Sequence, residues 1–393
     1  MRAGAILERA SLYTKSFGRS INLMQKRVDK IKVLQVVEDF KIGGLERVVE
    51  NIFDGLDRDI YEPSLWCIAG GGKLADEFIM ERKDIRILNL RTYHNPLNIL
   101  KLAYLLRKER YHIVHTHGYY ASTMGRISAL LARVPIIITH VHTTNWNFKK
   151  RNILIEKLLS EVTDKIICCS HAVREFVVSF EKIKRDKAIV IYNGISCGKL
   201  GVVRKKEDTE AAVRIAVIAS LVKNKGHRYL IEAFRKVGIR NESIRLLIVG
   251  GGPLDDELRG YAGSLAVKDK IDFLGIQEDV HGILECSDIL VLPSVEREGL
   301  GISIIEAMCH GRPVIASNIG GIRELVQDDV NGYLVEPGNS DELAKKLEML
   351  ITDNRRREQM GDAGRKIFEE KFAADIMMNG IETLYGKMLG LLR

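Results

Sequence analysis

Glu298-Gly-Leu-Gly-Ile-Ser-Ile-Ile-Glu306-Ala-Met308 is the stretch on which the fold turns. It follows the β-branched run Ile289–Leu292 and the short link Pro293-Ser294, so it reads as a strand passing through a glycine turn into a helix. Gly299 and Gly301 let the backbone approach a ligand closely at that turn. The N–H groups from Leu300 through Gly301 and Ile302 to Ser303 then stand unpaired at a helix start, an anion site suited to a diphosphate. Glu298 precedes the helix, and Glu306 lies about two turns along near the same face. Both carboxylates are placed to accept hydrogen bonds from sugar and ribose hydroxyls.

Working outward, short β-branched runs alternate with amphipathic stretches over nearly the whole chain. Strands are expected at 31–37, 85–90, 113–117, 135–140, 165–169 and 188–192, and again at 213–219, 245–249, 271–274, 289–292 and 313–316. Helices are expected between them, near 46–56, 97–108, 122–131 and 153–160 in the first set and 229–237, 255–266, 301–310 and 341–352 in the second. Such alternation implies right-handed βαβ units and doubly wound parallel sheets. The polar, charged stretch 196–210 breaks it and reads as a linker. The expected architecture is α/β, with two Rossmann-like domains at 31–196 and 212–373, a linker at 197–211, and a cleft between the domains where ligands bind.

Residues 1–30 stand apart as a basic extension. Ile6, Ala10, Tyr13, Phe17, Ile21, Met24 and Val28 recur at helical spacing, so an interfacial basic helix is the alternative to a loose extension, and Met24 is a second candidate start.

The chain has 393 residues, 46% hydrophobic and 28% charged, which excludes wholesale disorder and sets two or three domains as the expectation. No apolar run reaches the length of a membrane-spanning helix, and no secretory leader is read at the start. The six cysteines form no C-x-x-C pair; Cys168 and Cys169 read as buried in a strand, and a reducing cytoplasm fits. The net charge of +8 is uneven. Residues 1–200 hold 33 Lys and Arg against 21 Asp and Glu, whereas 201–393 hold 27 against 31. The first half is therefore expected to meet an anionic partner, such as a membrane surface or an acidic acceptor. Nucleic acid is not the expected partner, for want of an RNA-binding aromatic signature, a finger or a basic zipper.

Three further clusters fall at the expected cleft. Gly43-Gly44-Leu45-Glu46 follows the first strand and opens a helix, where a phosphate or sugar can come close to the backbone. Lys223-Asn-Lys225-Gly226 follows the first strand of the second half, and Lys225 would bring a cation to the diphosphate. His115 and His117 end one strand and share a face; His140 and His142 end the next. With no further ligand at recognisable spacing, a metal site from these histidines is the weaker reading, and none is assigned. Trp146-Asn-Phe148-Lys-Lys-Arg151 follows at the cleft mouth, two aromatics beside three cations, which suits a bilayer interface.

Together these residues resemble the retaining nucleotide-sugar glycosyltransferases of the GT-B fold, glycosyltransferase family 4. The resemblance covers roughly residues 31–372 and also rests on His310-Gly-Arg-Pro-Val-Ile-Ala-Ser317, Tyr192-Asn193-Gly194-Ile195, Val249-Gly-Gly-Gly-Pro253, Phe273-Leu-Gly275 and Asn331-Gly332-Tyr-Leu-Val335. It implies that Glu298 contacts the donor sugar hydroxyls and Glu306 the ribose. Lys225 would neutralise the leaving diphosphate, with Gly44 bordering it from the opposite domain. His117 would sit beside the anomeric carbon and the acceptor, with His115, His142 and Trp146 on the acceptor side. Backbone near Gly275 and Ile276 would read the base. Residues 374–393 would form a helix crossing back to the first domain. The co-substrate would be a nucleotide-diphosphate sugar, with no cofactor and no metal. The basic first half and the Trp146 segment, rather than the resemblance, point to the acceptor: a glycan or lipid-linked hydroxyl in polysaccharide, lipopolysaccharide or glycolipid synthesis, met by a cytoplasmic protein at the inner face of the plasma membrane.

The sequence departs from the family pattern in places. Ser220 stands where an arginine usually precedes Leu221, leaving Lys223 as the candidate replacement cation; Ser196 and Arg323 replace a common Asp and Pro. Two other readings stay open: a nucleotide-sugar epimerase, which needs no acceptor, and a non-catalytic nucleotide- or glycan-binding subunit, which binds without turnover.

Overall fold

A computed structural model describes residues 30–81, 83–90, 92, 95–144, 149–197, 212–296 and 298–391. The first lobe carries strands β1 (Ile31–Val37), β2 (Tyr61–Cys67), β3 (Ile85–Ile87), β4 (Ile113–His117), β5 (Ile136–Val141), β6 (Lys165–Cys168) and β7 (Ala188–Val190). Its helices are α1 (Gly44–Gly55), α2 (Lys73–Met80), α3 (Pro96–Glu109), α4 (Tyr119–Ala132), α5 (Lys150–Glu161) and α6 (His171–Ser179). The second lobe has β8 (Val213–Ile218), β9 (Ile244–Val249), β10 (Ile271–Gly275), β11 (Ile289–Leu292), β12 (Val314–Ser317) and β13 (Gly332–Val335). Between and after them run α7 (His227–Gly238), α8 (Asp255–Gly263), α9 (Val280–Glu285), α10 (Ile302–Cys309), α11 (Ile322–Leu325), α12 (Ser340–Thr352), α13 (Asn354–Lys371) and α14 (Ala374–Met388).

All pairings within the two sheets are parallel, in the orders β3-β2-β1-β4-β5-β6-β7 and β10-β9-β8-β11-β12-β13. Each order reverses beside its first strand, between β1 and β4 and between β8 and β11, which opens a crevice at the carboxyl ends of those strands. Alternate residues of each strand serve opposite faces, so both faces must be covered. In the first lobe Leu34, Val36, Val114 and Ile137 pack under α3 and α4, whereas Val33, Ile113 and Ile138 pack under α1 and α14. In the second, Ile215, Val217 and Ile315 meet α7 and α12, and Ala216, Leu290 and Val314 meet α10.

The lobes are tied at several points. Helix α14 lies on the first sheet through Met377, Ile381 and Tyr385. Glu324 of the second lobe accepts from the N–H groups of His171 and Ala172 (2.9 and 2.8 Å) at the start of α6 and from the Tyr192 hydroxyl, so a carboxylate occupies a helix N-terminus across the domain boundary. Lys73 and Glu278 pair across the other side of the cleft.

Several elements were not expected from the sequence, among them β2, β13, α2, α6 and α13. Strand β2 holds Pro63, which argues against a strand; it is tolerated because β3 pairs only with Leu65–Cys67, so no strand lies beside Pro63 on that side. Helix α13 carries few apolar residues and shows little periodicity, yet Met360 and Phe368 anchor it to the second lobe. Cys197 and Cys309 are joined as a disulfide with Cα atoms 6.0 Å apart, a pairing that the cysteine spacing did not suggest; Cys67, Cys168 and Cys169 are buried thiols, as expected for the last two. The expected extension at 1–29, the linker at 198–211 and the aromatic segment 145–148 with Trp146 lie outside the described residues. Among the described residues no helix is long and apolar enough to cross a membrane.

Candidate functional site

A cavity of about 790 Å³ lies between the lobes at the carboxyl ends of the strands. Gly43, Gly44 and Arg47 enter from the start of α1, and His142 and Thr143 from the end of β5. The second lobe contributes Ser220, Lys225, Ile276, the run from Glu298 to Ser303, and Glu306. The two helix starts nearly touch: a Cβ on Gly44 would stand 3.2 Å from Ile302.

The start of α10 has the backbone that the glycine pattern suggested. Gly301 adopts φ +99°, in the region that favours glycine, and no side chain caps the helix. Its first N–H groups are therefore open to an anion in the cavity. Gly299 answers to a different constraint: a Cβ there would come within 2.1 Å of the His142 carbonyl, so only glycine lets the lobes meet at this distance.

Lys225 ends a short 3-10 turn after β8 and reaches Glu298 at 2.7 Å. The same carboxylate oxygen accepts from the Ser294 hydroxyl at 2.8 Å, and Glu298 is only 7% exposed. The cation and the acid are thus held together at the edge of the anion site. Across the cavity, burial pushes the Glu306 carboxyl up to about 7, with the Arg47 cation pulling it down. Arg47 also pairs with Glu50 at 2.8 Å on its own helix.

The histidines form a layer behind the cavity wall. His142 lines the cavity; its Nε2 meets His117 Nδ1 at 3.2 Å. His117 Nε2 meets Gln35 Oε1 at 2.8 Å, Gln35 Nε2 donates to the Tyr385 hydroxyl at 3.4 Å, and that hydroxyl contacts His115 Nδ1 at 2.7 Å. Gln35 Oε1 can only accept, which assigns the His117 proton to Nε2; His142 then donates from Nε2 and accepts from Asn193 at Nδ1 (3.3 Å). Burial lowers His115 and His142 to about 3 and holds His117 and His140 well below the usual histidine range, so all four imidazoles are neutral at pH 7. One nitrogen each of His115, His117 and His140 lies within 4.8 Å of the others, the sole grouping among the described residues with a metal-like arrangement. Both His117 nitrogens are already engaged and no carboxylate joins the set, so the residues fit a metal poorly.

Of the residues expected in the cleft, Gly43, Gly44, Ser220, Lys225, Ile276, Glu298, Gly299, Leu300, Gly301, Ile302, Glu306 and His142 line the cavity. Lys223, Gly275, His115 and His117 do not. Gly275 turns its carbonyl to the Gly250 N–H (2.8 Å) and leaves the lining to Ile276. His117 is buried one layer behind His142. Sequence reasoning missed Arg47 and Ser294. Arg47 was within reach: it lies three residues beyond Gly44, on the same helix face. Nothing local marks Ser294, whose role appears only once Glu298 folds back over it.

Comparison with known proteins agrees with this geometry. Residues 42–199 match a family described as Glycosyltransferase Family 4, and residues 203–367 match Glycosyl transferases group 1. The chain is 28% identical to an Escherichia coli UDP-Gal:alpha-D-GlcNAc-diphosphoundecaprenol alpha-1,3-galactosyltransferase, over 84% of this chain and 90% of that one. It is 29% identical to the Bacillus anthracis N-acetyl-alpha-D-glucosaminyl L-malate synthase, over 74% and 78%. Anabaena HepE, solved in complex with UDP and glucose, superposes with a TM-score of 0.80 at 21% identity, covering 91% of this chain and all of that one.

Proposed function

The chain belongs to the family 4 glycosyltransferases and has the GT-B fold, and from that premise we propose that it moves a hexosyl group from a nucleotide-diphosphate sugar to a glycan or lipid-linked hydroxyl with retention of anomeric configuration. The observation that carries this reading is the meeting of Lys225, Glu298 and the uncapped start of α10 in one interlobe cavity. When the anomeric C–O bond breaks, negative charge gathers on the departing diphosphate. The α10 N–H groups face it already, and the Lys225 ammonium, held nearby by Glu298, turns to it. The acceptor hydroxyl bonds to the anomeric carbon and its proton passes to the leaving phosphate oxygen. Because these fixed donors meet the developing charge, the reaction needs no divalent metal.

Glu298 would accept from the sugar hydroxyls, Glu306 from the ribose, and Ile276 would flank the base. Ser220 leaves one cation fewer on the second lobe than the family pattern has. Arg47, reaching in from the first lobe beside Glu306, is our assignment for the replacement, in preference to Lys223, which does not line the cavity. The E. coli relative's named reaction makes a uridine nucleotide sugar and a lipid-diphosphate sugar the first pair to try, in synthesis of a cell-surface polysaccharide or glycolipid. Incubating the protein with such donors and a synthetic lipid-diphosphate GlcNAc, and reading the new anomeric proton coupling by NMR, tests the proposal. Retained configuration is expected. Conversion of the donor without acceptor would favour an epimerase; binding without conversion would favour a non-catalytic subunit.

A further inference from the structure

The glycine loop that leads into α10 is held by the first lobe as well as by its own. Ser170 lies between β6 and α6 and is fully buried at the lobe boundary. Its hydroxyl contacts the Gly299 carbonyl at 2.6 Å and the Val173 N–H at 3.1 Å, so one oxygen caps α6 and grips the opposite lobe. The Val173 N–H can only donate, which sends the hydroxyl proton to Gly299. A second hold comes from the segment before α11. The Gly321 N–H donates to the Glu298 carbonyl at 3.2 Å, and a Cβ on Gly321 would stand 2.0 Å from the Gly299 carbonyl oxygen. Three residues further on, Glu324 takes the N–H groups of His171 and Ala172 and so keeps the start of α6 against this segment.

What these contacts hold is peptide orientation. The peptides here are trans, and in a planar trans peptide the N–H points opposite to the carbonyl. Fixing the Glu298 carbonyl therefore fixes the Gly299 N–H, and fixing the Gly299 carbonyl fixes the Leu300 N–H. Gly299 and Leu300 line the cavity, whereas Ser170 and Gly321 do not. The held carbonyls thus turn away from the cavity and the N–H groups turn into it. Neither N–H has an acceptor among the described residues. A loop with Gly299 and Gly301 has the freedom to turn its peptides over, and a turned peptide would set a carbonyl against an anion.

We propose that Ser170 is a positioning residue for the diphosphate: from the first lobe it aims the Leu300 N–H of the second lobe into the cavity. The anion site is then complete only while the start of α6 stays against the loop, and Glu324 keeps it there. The inference rests on the reading of the cleft as a diphosphate site, and adds to it a residue and a dependence on contact between the lobes.

Calorimetry with uridine and with UDP on Ser170→Ala tests it. UDP affinity should fall by about tenfold, the scale of one N–H bond to a charged group, while uridine affinity hardly changes. Ser170→Thr, which keeps the hydroxyl, should restore UDP binding. Ser170→Ala also uncaps α6, so Asp353→Ala, which uncaps α13 outside the cavity, serves as the control for a lost cap: it should lower the melting temperature and leave UDP affinity unchanged. Glu324→Ala loosens the start of α6 by another route and should also weaken UDP; adding Ser170→Ala to it should cost less than Ser170→Ala does alone, because both act on one contact. An undiminished preference for UDP over uridine in Ser170→Ala or in Glu324→Ala overturns the proposal and leaves the diphosphate reading standing. So does a loss that Ser170→Thr does not restore, or an equal loss in Asp353→Ala, since either marks general loosening of the fold. No preference for UDP in the wild-type chain overturns the diphosphate reading and this inference together.

Discussion

Replacing Glu298 by glutamine separates two jobs that the structure places on one residue. Glu298 restrains Lys225 at 2.7 Å and is itself held by Ser294. At that distance and an effective dielectric near 20 the gross attraction is about 6 kcal/mol. Desolvation cancels much of it, and the Lys225 side chain, about one-fifth exposed, can turn partly to water. The net loss of stability should be about 2 kcal/mol, below the usual cost of breaking a fully buried pair. In a lobe of this size that lowers the melting temperature by roughly 5 °C. Binding should move the other way. Lys225, released from its carboxylate, is free for a diphosphate, so UDP should bind Glu298→Gln as tightly as wild type or up to about tenfold more tightly, the scale of one charge-assisted hydrogen bond. Transfer should still fall by about a hundredfold or more, because the sugar loses the acid that grips its hydroxyls. Calorimetry with UDP, a melting curve with and without UDP, and a turnover assay read all three. Weaker UDP binding together with normal turnover would refute the reasoning.

Arg47→Gln should weaken UDP binding by about tenfold or more and leave uridine binding nearly unchanged, and adding Ser220→Arg should restore most of the loss; the binding isotherms of the two variants check this. Apparent stability should peak near roughly pH 6.5. Burial raises the carboxyls of Glu46 and Glu306 to about 7 and of Glu181 to about 8, so the native chain holds protons that the unfolded chain has released, and stability falls as pH rises toward 8. Below the unfolded histidine range the lowered His115, His117, His140, His142, His227 and His310 act in the opposite sense, since the unfolded chain then takes up protons that the native one refuses. Melting temperatures measured in acid, near-neutral and alkaline buffer should show the maximum. Transfer should persist after dialysis against EDTA; strict loss, regained with a divalent ion, would assign a metal to the histidine layer.

Much of the cleft was legible because its signals are local. The run from Glu298 to Glu306 needs no partner to announce a strand, a glycine turn and a helix start, and Lys225 and Gly44 lie just beyond the first strands of their lobes. The parts that were not legible depend on what folds against them. His117 looks equivalent to His142 in sequence, since both end strands; only the stacking of β4 beside β5 decides that His142 faces the cavity and His117 the Gln35–Tyr385 chain behind it. Strand β2 was hidden by Pro63, whose harmlessness depends on the shortness of β3.

The central claim is that a diphosphate is held between the start of α10 and Lys225. Comparing the affinities of uridine and UDP in wild type and in Lys225→Met measures that grip directly. The diphosphate should supply most of the binding free energy in wild type, and the gap between the two ligands should shrink by about tenfold or more in the variant. Equal affinities for uridine and UDP in wild type, or an unchanged gap without Lys225, would contradict the account.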